Sequence, residues 1–174
     1  MNSTQIALTL GLTAGLVLGL FIVVLLFRVK VLDMRFDERQ ERARGVAFRY
    51  AFYTLTACVL ILDCVDLAYH WCDALVSGIL SVCIACTVLA VTAIRRDAYL
   101  GLYERPRRVM TLFAVIAAVN LVLGVSHVLD GSAVVDGVVT FWITNLLLGI
   151  MLTVVLAVYV LRCLRGQETE EDGE

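Results

Sequence analysis

Four uninterrupted apolar runs punctuate the chain, at Ile6 to Phe27, Ala74 to Ile94, Val109 to Leu129 and Val138 to Leu161. Each is long enough to cross a bilayer as a helix, because about 20 apolar residues span a hydrocarbon core about 30 Å thick. A fifth run, Val46 to Trp71, is broken by Arg49, Asp63 and Asp66. It too reads as a crossing, since Arg49 lies near one end, where its stem carries the charge to the interface, and the aspartates lie toward the other. The expected fold is all-α, a bundle of five transmembrane helices (about 6–27, 46–71, 74–94, 109–129 and 138–161) in one domain, 1–166, with an acidic, disordered cytoplasmic tail at 167–174. The first run is an uncleaved crossing rather than a signal peptide. It is too long for an h-region, and its positive charges follow it instead of preceding it.

Composition supports the same class. With 61% hydrophobic and 17% charged residues, the chain holds more apolar surface than a water-soluble domain of 174 residues can hide.

Charge decides the orientation. The fourteen Lys and Arg residues fall in three places: Arg28 to Arg49, Arg95 to Arg108, and Arg162 with Arg165. Five crossings put all three on one side, so the positive-inside rule gives an outer N-terminus and a cytoplasmic C-terminus. Trp71, Phe141 and Trp142 then fall at the outer interface, and Tyr50, Tyr53, Tyr99, Tyr103 and Tyr159 near the inner one. Such short basic loops suit anionic lipid better than nucleic acid.

Local signals refine the elements. Gly11, Gly15 and Gly19 place three bare patches on one face of the first helix, a packing or dimerisation surface. Asp37 and Gln40 have the spacing of a capping box, and Glu38 with Arg42 that of a helical ion pair, so the second helix should start in the cytoplasm and run into the bilayer. Gly101 and Pro106 predict a third helix that projects past Arg96 before a tight loop starts the fourth. His70-x-x-Asp73 and His127-x-x-Asp130, one in each later hairpin, suggest an internal repeat.

The candidate chemistry is an outer cluster of ionisable groups. Asp63, Asp66, His70 and Asp73 follow steps of three, four and three along one helix face, and His127, Asp130 and Asp136 come from the other outer turn. A carboxylate in hydrocarbon needs a partner, and imidazole with carboxylate suits a divalent cation or a relayed proton. Under this reading Asp63, Asp66, His70, Asp73, His127 and Asp130 are the metal candidates. The alternative is a protonated or hydrogen-bonded Asp63 with the others solvated. Cys83 and Cys86 form a C-x-x-C at membrane depth, where cysteine serves as a small apolar residue. Asn120 and Asn145 read as hydrogen-bond partners between helices. No nucleophile elbow, phosphate loop, zincin helix or nucleotide fingerprint is present, which leaves a conventional enzyme without support, and no cofactor is expected.

The stretch Phe36 to Tyr50, FDERQERARGVAFRY, resembles the cytoplasmic signature of a group of small uncharacterised bacterial membrane proteins, as does Asp97 to Tyr99, with FWITNL at Phe141 to Leu146 also similar. The resemblance covers most of the chain from the second helix onward and implies a bacterial inner-membrane address, with no activity or cofactor attached. The histidines are outside that pattern. In this motif Asp37, Glu38, Arg39, Gln40, Arg42 and Arg44 sit on a helical extension whose charges are positioned to clip it to the Arg95–Arg108 loop. Two functional readings follow. One is a non-enzymatic accessory subunit whose partners are the bilayer, other membrane proteins or a second copy. The other is a small transporter or channel component with an outward-facing Asp/His site.

Overall fold

The computed structural model describes Val17, Phe21, Val24 and residues 36–101 and 105–171, the side chains of residues 74 and 166–171 excepted. Val17, Phe21 and Val24 of the first expected crossing are helical; Gly11, Gly15 and Gly19 lie outside the described residues. Four helices follow: α1 (Glu38–Tyr69), α2 (Ala74–Arg95), α3 (Pro106–Leu129) and α4 (Thr144–Glu171). All four are long and apolar enough to cross a membrane, including α1, whose aspartates interrupt its pattern.

The capping box at the start of α1 is formed. The Gln40 N–H donates to Asp37 Oδ1 (2.6 Å), and the Asp37 N–H donates to Gln40 Oε1 (3.2 Å). Two backbone donors that have no partner inside a helix are thereby satisfied before the chain enters the apolar region. Deeper in, Thr54 and Thr56 turn their hydroxyls back onto the carbonyls of Tyr50 and Phe52, so neither is bare in a lipid-depth helix. At the far end His70 takes a left-handed conformation (φ 42°) and its N–H closes on the Asp66 carbonyl, which stops the helix.

Helix α2 ends at Arg95, short of the projection to Gly101 that the sequence suggests. Asp97 adopts a left-handed conformation (φ 55°), and the Ala98 N–H bonds back to the Ala93 carbonyl, closing the last turn. Aspartate tolerates this region, so no glycine is needed to stop the helix. Pro106 is the first residue of α3, as its spacing suggests.

The last predicted crossing begins differently. Val138–Val139 is not helical but the second strand of a hairpin with Val134–Val135, turned by Asp136 (φ 52°) and Gly137 (φ 79°). Two successive positive-φ residues make the tight turn whose twist suits paired strands, and Asp-Gly is its usual sequence. A 3-10 turn, Phe141–Ile143, then leads into α4. The backbone of α4 stays helical through Glu171, into the stretch where the sequence predicts disorder.

Helix α2 is the hub: α1 packs on it, α4 packs on it, and α3 packs on α4. Small side chains make this close packing, with Ala47 and Ala51 buried on α1, and Ser81, Ala85, Ala90 and Ala93 on α2. The Ser81 hydroxyl, fully buried, donates to the Ser77 carbonyl (2.8 Å). Ala90, Ile94 and Val155 form a core at one end, covered by Tyr99, Phe113, Val158 and Tyr159. Helix α1 is the least buried of the four: 6% of its most apolar stretch is buried, against 33% for α2.

Candidate functional site

The two ends of the bundle differ in charge. Every described arginine lies at the start of α1, the end of α2, the start of α3 or the end of α4, which antiparallel packing brings to one end. The other end holds Asp63, Asp66, Asp73, Asp130, Asp136 and both histidines.

At the acidic end the two loops between helices are knitted together. The Asp73 N–H donates to the Val139 carbonyl (2.9 Å), and the Val139 N–H to the Trp71 carbonyl (2.9 Å). Asp73 Oδ2 accepts the Phe141 N–H (3.0 Å) from the other hairpin. Its carboxylate therefore acts in loop docking. His127 stacks on Trp142, with centroids 4.6 Å apart, and its Nδ1 lies 3.0 Å from Ser132 Oγ. Ser132 gives its hydroxyl proton to Asp130 Oδ1 (2.6 Å) and its backbone N–H to the same oxygen (2.9 Å). The Ser132 hydroxyl and N–H, aided by His127, hold the Asp130 carboxyl below the usual carboxylate range.

The remaining candidates stand apart. Asp66 Oδ1 lies 3.8 Å from His70 Nδ1, an ion-pair distance with no hydrogen bond, and that oxygen is buried without a partner. The left-handed end of α1 leaves the His70 ring 79% exposed. Asp63 is exposed on α1. Among the described residues no three His, Cys, Asp or Glu side chains converge as metal ligands. Of the candidates Asp63, Asp66, His70, Asp73, His127 and Asp130, Asp73 accepts from Phe141 and Asp130 from Ser132, and His127 lies near Asp130 while Asp66 lies near His70. The two His-x-x-Asp sequences are also not equivalent, because His70 is a solvent-facing cap and His127 lies inside the last turn of α3.

One other expectation changes. Asn120 bonds the Ile116 carbonyl of its own helix (2.8 Å) rather than a neighbouring helix, while Asn145 is half-buried at the start of α4. Cys83 is buried and Cys86 exposed, both as free thiols. Cys72 is fully buried at the acidic end, where desolvation and the nearby Asp66 push its thiol pKa up.

At the basic end Asp97 joins three elements. Gln40 Nε2 donates to its carbonyl (3.0 Å), and Arg162 pairs with its carboxylate through Nη2 (2.8 Å) and Nε (3.3 Å). A clip is thus present, but it runs through the Gln40 amide and Asp97 rather than through Asp37 and Glu38. Glu38 instead pairs with Arg42 along its own helix (2.6 Å), and Arg44 lies over the Phe36 ring (3.8 Å). Arg39, Arg95 and Arg96 line a groove of about 620 Å³ between α1, α2 and α4.

Family models, curated proteins and solved structures give no match to this chain. The reading of function therefore rests on the chain's own geometry. Part of that geometry escapes motif analysis: Gly124 and Gly149 lie where α3 and α4 touch. A Cβ on Gly124 would stand 2.5 Å from Leu146 Cα, and one on Gly149 would stand 2.8 Å from Leu121 Cγ. Each helix presses a leucine onto the other's glycine. The only available signal is a glycine inside an apolar run.

Proposed function

We propose that this chain is a non-enzymatic, multi-pass protein of the bacterial inner membrane that serves as an accessory or interaction subunit. It crosses five times, with the N-terminus outside and the C-terminus in the cytoplasm. The segregation of the described arginines to one end supports that orientation, because basic residues are retained on the cytoplasmic side. A reporter fused after Glu174 should therefore be active in the cytoplasm and silent outside; the reverse pattern would reject the orientation.

The observation that carries the interaction role is the face of α1. Leu60 and Leu67 are exposed there, three residues before and four after Asp63, which has no partner among the described residues. Asp63 lies about 9 Å inside the end of α1 at 1.5 Å per residue. An isolated carboxylate at such depth costs about 1–3 kcal/mol, which a polar group from another polypeptide can recover.

In mild detergent, the native protein should migrate as an assembly heavier than the single chain. Asp63→Leu should dissociate that assembly while raising the thermal stability of the isolated chain. An unchanged assembly in Asp63→Leu, or a wild-type protein that runs alone, would reject the role.

A further inference from the structure

At the basic end some of the described arginines are already engaged: Arg42 with Glu38, Arg162 with Asp97, and Arg44 with Phe36. Arg105, Arg107 and Arg108 are set apart by the groove that they rim. None of the three pairs with a carboxylate among the described residues, and all are exposed along the rim of a groove of about 920 Å³ between α3 and α4. Below the rim the wall turns apolar, with Met110 on α3 and Leu156 and Val160 on α4. Leu156 lies about 10 Å deeper than the rim-level end of the groove on α4, counting 1.5 Å per residue. The groove thus offers positive charge at headgroup level and hydrocarbon contact beneath it.

From this arrangement we infer that the groove between α3 and α4 binds one anionic phospholipid, its phosphate held by Arg105, Arg107 and Arg108 and its upper acyl chain lying along Met110, Leu156 and Val160. Three exposed guanidinium groups, none paired with a carboxylate among the described residues, donate to phosphate oxygens and select a lipid with net negative charge over a zwitterionic one, whose ammonium group they repel. The apolar wall selects a lipid over a soluble anion, because a free phosphate gains nothing from burying hydrocarbon. The groove near Arg39, Arg95 and Arg96 has apolar lining only from Ala43 and Val46, so it provides an internal comparison. The inference needs only that the chain spans a bilayer, and it stands whichever leaflet this end faces.

The test uses the full chain in phosphatidylcholine nanodiscs, titrated with phosphatidylglycerol and read by native mass spectrometry. One phosphatidylglycerol should be retained per chain, in preference to phosphatidylcholine. The triple variant Arg105→Gln, Arg107→Gln, Arg108→Gln should weaken retention by roughly 100-fold, about fivefold for each arginine. Arg39→Gln with Arg95→Gln and Arg96→Gln should leave it within about twofold, because those charges line the other groove. Val160→Trp fills the apolar wall, keeps every charge and should also displace the lipid. Helicity by circular dichroism separates lost binding from lost folding in each variant. Retention that survives Val160→Trp, or equal retention in the 105/107/108 variant, would overturn the site. Displacement by millimolar inorganic phosphate would reassign it to a soluble anion and overturn the lipid claim.

Discussion

Gly124→Ala is expected to lower the thermal unfolding midpoint by about 6 °C or more, with a larger loss for Gly124→Leu. The added Cβ would stand 2.5 Å from both Leu146 Cα and Leu146 N, and backbone cannot rotate aside as a flexible side chain does. Helices α3 and α4 would have to separate, which also lifts Leu121 from Gly149. Overpacking of this kind costs about 1–3 kcal/mol or more, against a helix-propensity gain near 1 kcal/mol for replacing glycine. Gly45→Ala and Gly78→Ala are the controls, because nothing lies within 4 Å of a Cβ at either position. Both should be neutral or slightly stabilising. If Gly124→Ala melts with the wild type, the close α3–α4 approach is not the packing of this protein.

Ala47→Leu is expected to release α1 from α2. Ala47 is fully buried on the face of α1 that meets α2, so three added carbon atoms have no space. The cost is about 1–3 kcal/mol, placed on a seam of small side chains. Proteolysis in detergent should then cut the loop between Tyr69 and Ala74 at a lower protease concentration than in the wild type. Ala57→Leu, at an exposed position ten residues further along, should leave the cleavage pattern unchanged. Equal resistance in Ala47→Leu would show that α1 does not rely on this seam.

These effects fall on residues that the hydrophobic pattern treats as ordinary apolar positions. Ala47 and Gly124 differ from Ala57 and Gly78 only in what faces them, and that is set by how the helices cross. The capping box at Asp37 and Gln40 was legible because its donors and acceptors lie within one helical turn. The Asp136–Gly137 turn carried a legible signal too, although the apolar run beginning at Val138 reads as part of a helix. The fate of the Asp/His candidates was not legible. Spacing places Asp63, Asp66, His70 and Asp73 on one helix face, but the left-handed turn at His70 redirects the chain. Docking of the two loops at the acidic end then engages Asp73 through the Phe141 N–H.

The sequence by itself determined that this is a helical protein with membrane-length apolar segments, since helix formation in lipid satisfies every backbone group locally and needs no knowledge of neighbours. Tertiary structure alone decided which small residues are contact points, that Asp97 joins Gln40 to Arg162, and that Asp73 accepts the Phe141 N–H of the other hairpin. Those outcomes depend on distances between residues far apart in the chain, which periodicity within a single helix does not encode.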